Sequence, residues 1–174
     1  FLKINQPREA LQRLGRARTR LAKDESIESG VRAALGCADA YIQLGQFWAA
    51  RMEAVIAVHT ALSEQDGKLV EPFFGLLAVQ RLCICEASLG RIAPFLAWFD
   101  LSRHLVGFLD PDEYRIEKIL NSIQKYELTL ACLLVNVAAS EAKELSALCT
   151  GLESRGMVLA QFALRWAPGE TGNV

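Results

Sequence analysis

Apolar residues recur at intervals of three and four along most of the chain. Ile27, Val31, Leu35, Ala38 and Ile42 form one such row, and Phe47, Ala50, Ala54, Ala57, Val58 and Leu62 form the next. That spacing gathers them onto one stripe of a helix with about 3.6 residues per turn, and no stretch alternates with the period of two that a half-buried strand requires. Polar signals fall where the rows begin. Ser26 precedes one row and Pro94 stands just inside another, while Asp110-Pro111-Asp112-Glu113 offers an N-cap, a first-turn proline and acids facing the positive end of the helix dipole. The pattern predicts eight helices, over 7–22, 27–44, 46–64, 70–89, 93–108, 111–135, 138–153 and 155–166. Residues 1–166 read as a single helical domain, and residues 167–174, with Pro168, Gly169 and Gly172, as a flexible tail.

Self-similarity turns this list of helices into an architecture. The segment from Phe1 to Ala10 aligns with that from Tyr41 to Ala50, aromatic on aromatic and Asn5 on Gly45; Leu44-Gly45 recurs as Leu89-Gly90, and Val135-Asn136 follows at a similar interval. Gly and Asn tolerate the left-handed backbone conformation that ends a helix, so Asn5, Gly45, Gly90 and Asn136 read as four corners of antiparallel helical hairpins. Gly36 and Gly75, inside apolar rows, read as points of close helix packing.

The residues around the second corner resemble a tetratricopeptide repeat. Ala38, Tyr41, Leu44, Gly45, Phe47, Ala50 and Ala57 reproduce its small-then-aromatic first helix, its Leu-Gly corner, and a second helix with an early aromatic and two packing alanines. A second copy keeps Cys83, Leu89, Gly90 and Ile92 but places Glu86 at the aromatic position and Phe95 at an alanine position. A partial first copy holds Ile4, Asn5, Pro7, Ala10 and Ala17, and a last one lies around Thr129, Cys132, Val135, Asn136, Ala138 and Leu145. The resemblance implies an all-α, right-handed superhelical solenoid of antiparallel hairpins; repeats of forty to forty-six residues imply helices longer than the family's, with a HEAT-like solenoid as the competing description.

It also implies a concave surface lined by the first helix of each hairpin. Its lining residues here are Arg32, Leu35, Asp39, Ile42 and Gln43, then Gln80, Ile84, Ala87 and Ser88, then Tyr126, Leu130 and Leu133. The set is mixed and mostly apolar, without a Lys and Asn cluster that would clamp a terminal carboxylate. The expected partner is therefore a protein or peptide with a hydrophobic or amphipathic segment, with Arg32, Asp39, Gln43 and Gln80 fixing its register. Ile84 and Leu130 serve equally well as ordinary core.

Composition narrows the class of function. The chain has 174 residues, 52% hydrophobic and 22% charged, and a mean hydropathy of +0.19, enough apolar surface for a well-filled core. Its longest uncharged run, residues 128–140, is too short to cross a bilayer, so no membrane span is expected. The chain opens at Phe1 without a leader-like segment and reads as a piece of a longer intracellular protein, cytoplasmic with the nucleus left open. Cys37, Cys83, Cys85, Cys132 and Cys149 are scattered among apolar residues without metal-ligand or redox spacing, as expected of buried thiols in a reducing compartment.

Net charge is −1 but unevenly placed: Lys3, Arg8, Arg13, Arg16, Arg18, Arg20 and Lys23 stand against Glu9 in the first twenty-three residues. Arg13, Arg16 and Arg20 share one helix face, with Arg8 and Lys23 near it. Solvent, an acidic protein surface or nucleic-acid phosphate could each answer that stripe; without interleaved aromatics, nucleic acid is the least favoured. The apolar face of this helix, with Leu11, Leu14 and Leu21, is expected to dock upstream or onto residues 27–62.

His59 and His104 occupy corresponding positions in second helices and lack a metal-binding spacing; no nucleophile elbow or phosphate loop occurs, so no enzyme activity, metal or cofactor is expected. The reading is a non-catalytic protein-interaction or regulatory module. Its competitors are a ligand-sensing domain of a larger regulator and a nucleic-acid-associated module. Trp48, Phe73, Phe74, Phe95, Trp98, Phe99 and Phe108 exceed what alanine-based packing admits, so part of this set is expected at the surface, where it would support self-association.

Overall fold

A computed structural model describes residues 6–21, 27–65, 68–69, 71–109, 150 and 154. Five helices run through them: α1 (Pro7–Leu21), α2 (Ile27–Gln43), α3 (Phe47–Ala61), α4 (Pro72–Ser88) and α5 (Ile92–Val106). Each lies within a few residues of its sequence expectation. The helices predicted over 111–135, 138–153 and 155–166 fall outside the described residues, apart from Thr150 and Ser154. The chain forms two compact units, one of Phe1–Glu86 with Ala97–Leu109 and another of Ala87–Leu96 with Asp110–Val174.

Two corners form at the expected glycines. Gly45 and Gly90 both take φ of +69°, where a side chain would be strained. At the first, the Gln46 N–H donates to the Tyr41 carbonyl (2.9 Å) and the Gly45 N–H to that of Ile42 (3.0 Å). This is the Schellman arrangement, which satisfies the last carbonyls of α2 and reverses the chain into α3. At the second, Gly90 donates to Ala87 (3.1 Å). Asn5 and Asn136 lie outside the described residues.

Beyond α3 the expected helix to residue 64 gives way to something else. α3 ends at Ala61; the Leu62 N–H donates to Val58 O and the Ser63 hydroxyl to Thr60 O. A short antiparallel pairing of β1 (Glu64–Gln65) with β2 (Lys68–Leu69) follows, in register Glu64 to Leu69 and Gln65 to Lys68. The Glu71 N–H then donates to Ala61 O at 2.9 Å, which brings the chain back to the end of α3 before α4 begins. The connection between α3 and α4 thus holds a short β pairing where helix was expected to residue 64. Polar side chains capable of bonding to the nearby backbone end α3 where its apolar row stops.

The core of the first unit joins α2, α3 and α4. Val31, Ala34 and Leu35 pack with Ala57, Ala61, Phe74 and Ala78, and further along Ala38, Ala54 and Leu82 form a second cluster against which Trp98 of α5 rests. The alanines of α3, Ala50, Ala54, Ala57 and Ala61, are all fully buried. Small residues there permit close helix approach. Gly36 and Gly75 do the same: a Cβ at Gly36 would stand 2.9 Å from Leu14 Cδ1, and one at Gly75 would collide with the Leu62 side chain. The Leu14–Gly36 approach docks α1 onto α2, the downstream of the two expected positions.

Candidate functional site

α2 and α4 lie side by side and run in the same direction. Arg81 of α4 donates from Nε to Asp39 Oδ1 (2.9 Å) and from Nη2 to Asp39 Oδ2 (3.0 Å), a two-pronged contact, while its Nη1 donates to Leu77 O. Two turns earlier, the guanidinium of Arg32 lies 5.0 Å from the centre of the Phe74 ring. The two contacts share one offset of forty-two residues, so residue number rises in step along both helices.

Several of the residues expected to line a binding surface lie on this pair. Arg32 is exposed and bonded to Glu28 at 2.5 Å, Gln43 is exposed, and Asp39, Ile42 and Ile84 are half-exposed. Ile42 and Ile84 are one turn beyond the Asp39–Arg81 contact and keep the same forty-two-residue offset. Leu35 and Gln80 are instead buried: Leu35 belongs to the apolar row of α2 and packs in the cluster around Phe74, and Gln80 lies on the inward side of α4. Ser88 is half-buried in the second unit, where Ala87 is buried; Tyr126, Leu130 and Leu133 lie outside the described residues. Asp39, expected to meet a partner, has its carboxylate engaged by Arg81.

Two residues that matter here carry no mark in the sequence as site residues. One is Arg81 itself. The other is Arg51 of α3, whose Nε donates to Oε1 of Glu86 on α4 at 2.7 Å. Glu86 is fully buried and Arg51 about a quarter exposed. The position where the repeat pattern calls for an aromatic is thus filled by a carboxylate with a guanidinium beside it, an ionic link between α3 and α4 in place of ring packing. Opposite charges far apart in sequence give no local signal; the misfit of Glu86 in its repeat was the only one available.

The remaining chemistry is quiet. Cys37, Cys83 and Cys85 are free thiols and buried. Burial, and after it the neighbouring Glu86 carboxylate, pushes the Cys83 thiol far above its ordinary range and the Cys85 thiol up to about 12, so neither forms a nucleophilic thiolate near neutral pH. His59 and His104 are exposed, the latter edge-on to the Phe108 ring at 5.2 Å. Among the described residues, no group of three or more His, Cys, Asp or Glu is placed to hold a metal ion, and no helix is long and apolar enough to cross a membrane.

The basic stripe divides. Arg8 and Arg16 are exposed; Arg13 bonds Glu9 one turn back on α1 at 2.7 Å; Arg20 lies on the last turn of α1, and Lys23 outside the described residues. Of the aromatic set, Phe74, Phe95 and Phe99 are buried, Phe73 and Trp98 half-buried, and Trp48 and Phe108 exposed. In comparisons with known proteins, no family model, no curated protein and no solved structure matches this chain.

Proposed function

We propose that the chain is a non-catalytic protein-interaction module, a tetratricopeptide-like stack of helical hairpins that binds an apolar or amphipathic segment of a partner along the paired faces of α2 and α4. The observation that carries this reading is the constant forty-two-residue offset linking Arg32 to Phe74 and Asp39 to Arg81. Repetition of that offset along further hairpins generates the right-handed superhelix and its concave side. Ile42 and Ile84 supply apolar contact, while Arg32 and Gln43 supply polar groups at its margin. The two-pronged Asp39–Arg81 contact holds the two helices in register before a partner arrives, which lowers the ordering cost of binding.

The test is selection of amphipathic peptides from a displayed library against the 174-residue chain, followed by amide hydrogen exchange with and without the selected peptide. Protection is expected along α2 and α4, and Ile42→Asp with Ile84→Asp should weaken binding about tenfold or more, the effect of removing central apolar anchors. Selected peptides whose affinity ignores both substitutions would refute the assignment.

A further inference from the structure

α1 turns its apolar side inward and its cations outward. Ala10 is buried, Leu11, Leu14 and Ala17 are half-buried, and Leu14 meets α2 at Gly36, whereas Arg8, Gln12, Arg13 and Arg16 are exposed. Arg8, Gln12 and Arg16 follow one another at four-residue steps, and position 20, on the last turn, is again Arg. Glu9 bonds Arg13, while Arg8 and Arg16 enter no ion pair among the described residues. Helix stability does not account for this row. Arg8 stands in the first turn, where the positive end of the helix dipole repels a cation, and cations three and four residues apart, as at 13, 16 and 20, weaken a helix.

We propose that the outward face of α1 is the docking site for an acidic helix of a partner protein, separate from the α2–α4 surface. Its charge calls for an anionic occupant, and two observations select a short peptide helix among anions. The first is extent. The cationic segment ends near residue 23, and residues 24–174 carry twelve Lys and Arg against nineteen Asp and Glu. A nucleic-acid strand or a membrane surface extends beyond α1 and is repelled by that remainder, whereas a helix of the same fifteen residues ends where the arginines end. A membrane would also need the apolar face of α1, which Leu14 has already committed to α2.

The second observation is spacing. Each four-residue step along the row rises about 6 Å, and carboxylates four residues apart on a second helix rise by the same amount. Successive carboxylates therefore stay level with successive arginines while both backbones keep their regular form. The cations of α1 are all arginines, whose planar guanidinium accepts a carboxylate in a two-pronged contact, as Arg81 does with Asp39.

Fluorescence anisotropy tests this, with the 174-residue chain and a labelled alanine-based helical peptide of α1's length carrying glutamate at every fourth position. The expected result is saturable binding that weakens as salt is raised. Arg8→Glu combined with Arg16→Glu should weaken it about tenfold or more, because like charges then face each other, and the same peptide with lysine in place of glutamate should bind that variant. Circular dichroism should be unchanged in the variant, since both side chains are exposed. Failure of the glutamate peptide to bind overturns the proposal, as does binding that ignores the double substitution or is equalled by a peptide with the same glutamates dispersed around the helix. Tighter binding of a duplex oligonucleotide or of phosphatidylserine vesicles at the same salt overturns it as well. Ile42→Asp with Ile84→Asp should leave this binding unchanged, so either proposal can fail alone.

Discussion

Two ionic links bind α4 to its neighbours with the same chemistry in unlike surroundings. The Asp39–Arg81 contact lies at the surface, its side chains 34% and 22% exposed, whereas at Arg51–Glu86 the carboxylate has no exposure at all. At the outer link water competes for both groups, and if either is removed the other is simply hydrated. At the inner link a carboxylate has already given up its hydration; removing the cation leaves a buried charge opposed by less. The number of bonds therefore ranks the links one way, and burial ranks them the other. The outer link aligns helices, and the inner one is where the fold is vulnerable.

The largest effect should come from Arg51→Ala, which is expected to lower the unfolding free energy by about 3–5 kcal/mol in urea denaturation. Pairing it with Glu86→Leu should recover most of the loss, since the buried charge is then gone. Less than the cost of Asp39→Ala would break the comparison. Next, Ala50→Leu should destabilise by about 1–3 kcal/mol in thermal unfolding, because a fully buried alanine between close helices has no room for an isobutyl group. Asp39→Ala should cost up to about 1 kcal/mol, as partly exposed pairs do. High salt should shrink that difference and leave the Arg51→Ala difference nearly intact, which sharpens the contrast between screened and buried charge.

Smallest of all at neutral pH are the thiols beside Glu86. Because the folded values of Cys83 and Cys85 lie above the ordinary value of 9, the unfolded chain loses these protons first as pH rises. Their contribution to stability is intact below pH 9 and declines above it. Mass-spectrometric mapping after brief alkylation at neutral pH should find both unmodified in the folded chain and modified in denaturant. Rapid labelling of native Cys85 would contradict its burial.

Much of the fold is legible in the residues themselves. Gly45 and Gly90 announce their corners because only a residue without a Cβ takes positive φ freely, and the alanine row of α3 marks its buried face because small side chains are what close packing demands. The β1–β2 pairing is less legible: the strands are two residues each, too short for alternation to register, and Asp66-Gly67 between them, a dipeptide favoured in hairpins, was the only signal. Of the residues expected to line a surface, Arg32 and Gln43 are exposed and Ile42 and Ile84 half-exposed, whereas Leu35 and Gln80 are buried, a difference that periodicity along one helix does not reveal because it depends on the neighbouring helices.

Over the described residues, the sequence by itself determined where the five helices run and that the chain turns at Gly45 and Gly90, since both depend on neighbours within a few positions along the chain. Tertiary structure alone decided that Asp39 is engaged by Arg81, that Glu86 is buried against Arg51, and that Trp48 rather than Phe95 faces water. Each of those outcomes depends on what lies across a helix interface, thirty-five or forty-two residues away for the two ionic links. The free energy of a charge or a ring follows from the medium packed around it, and that medium is assembled only when the helices meet.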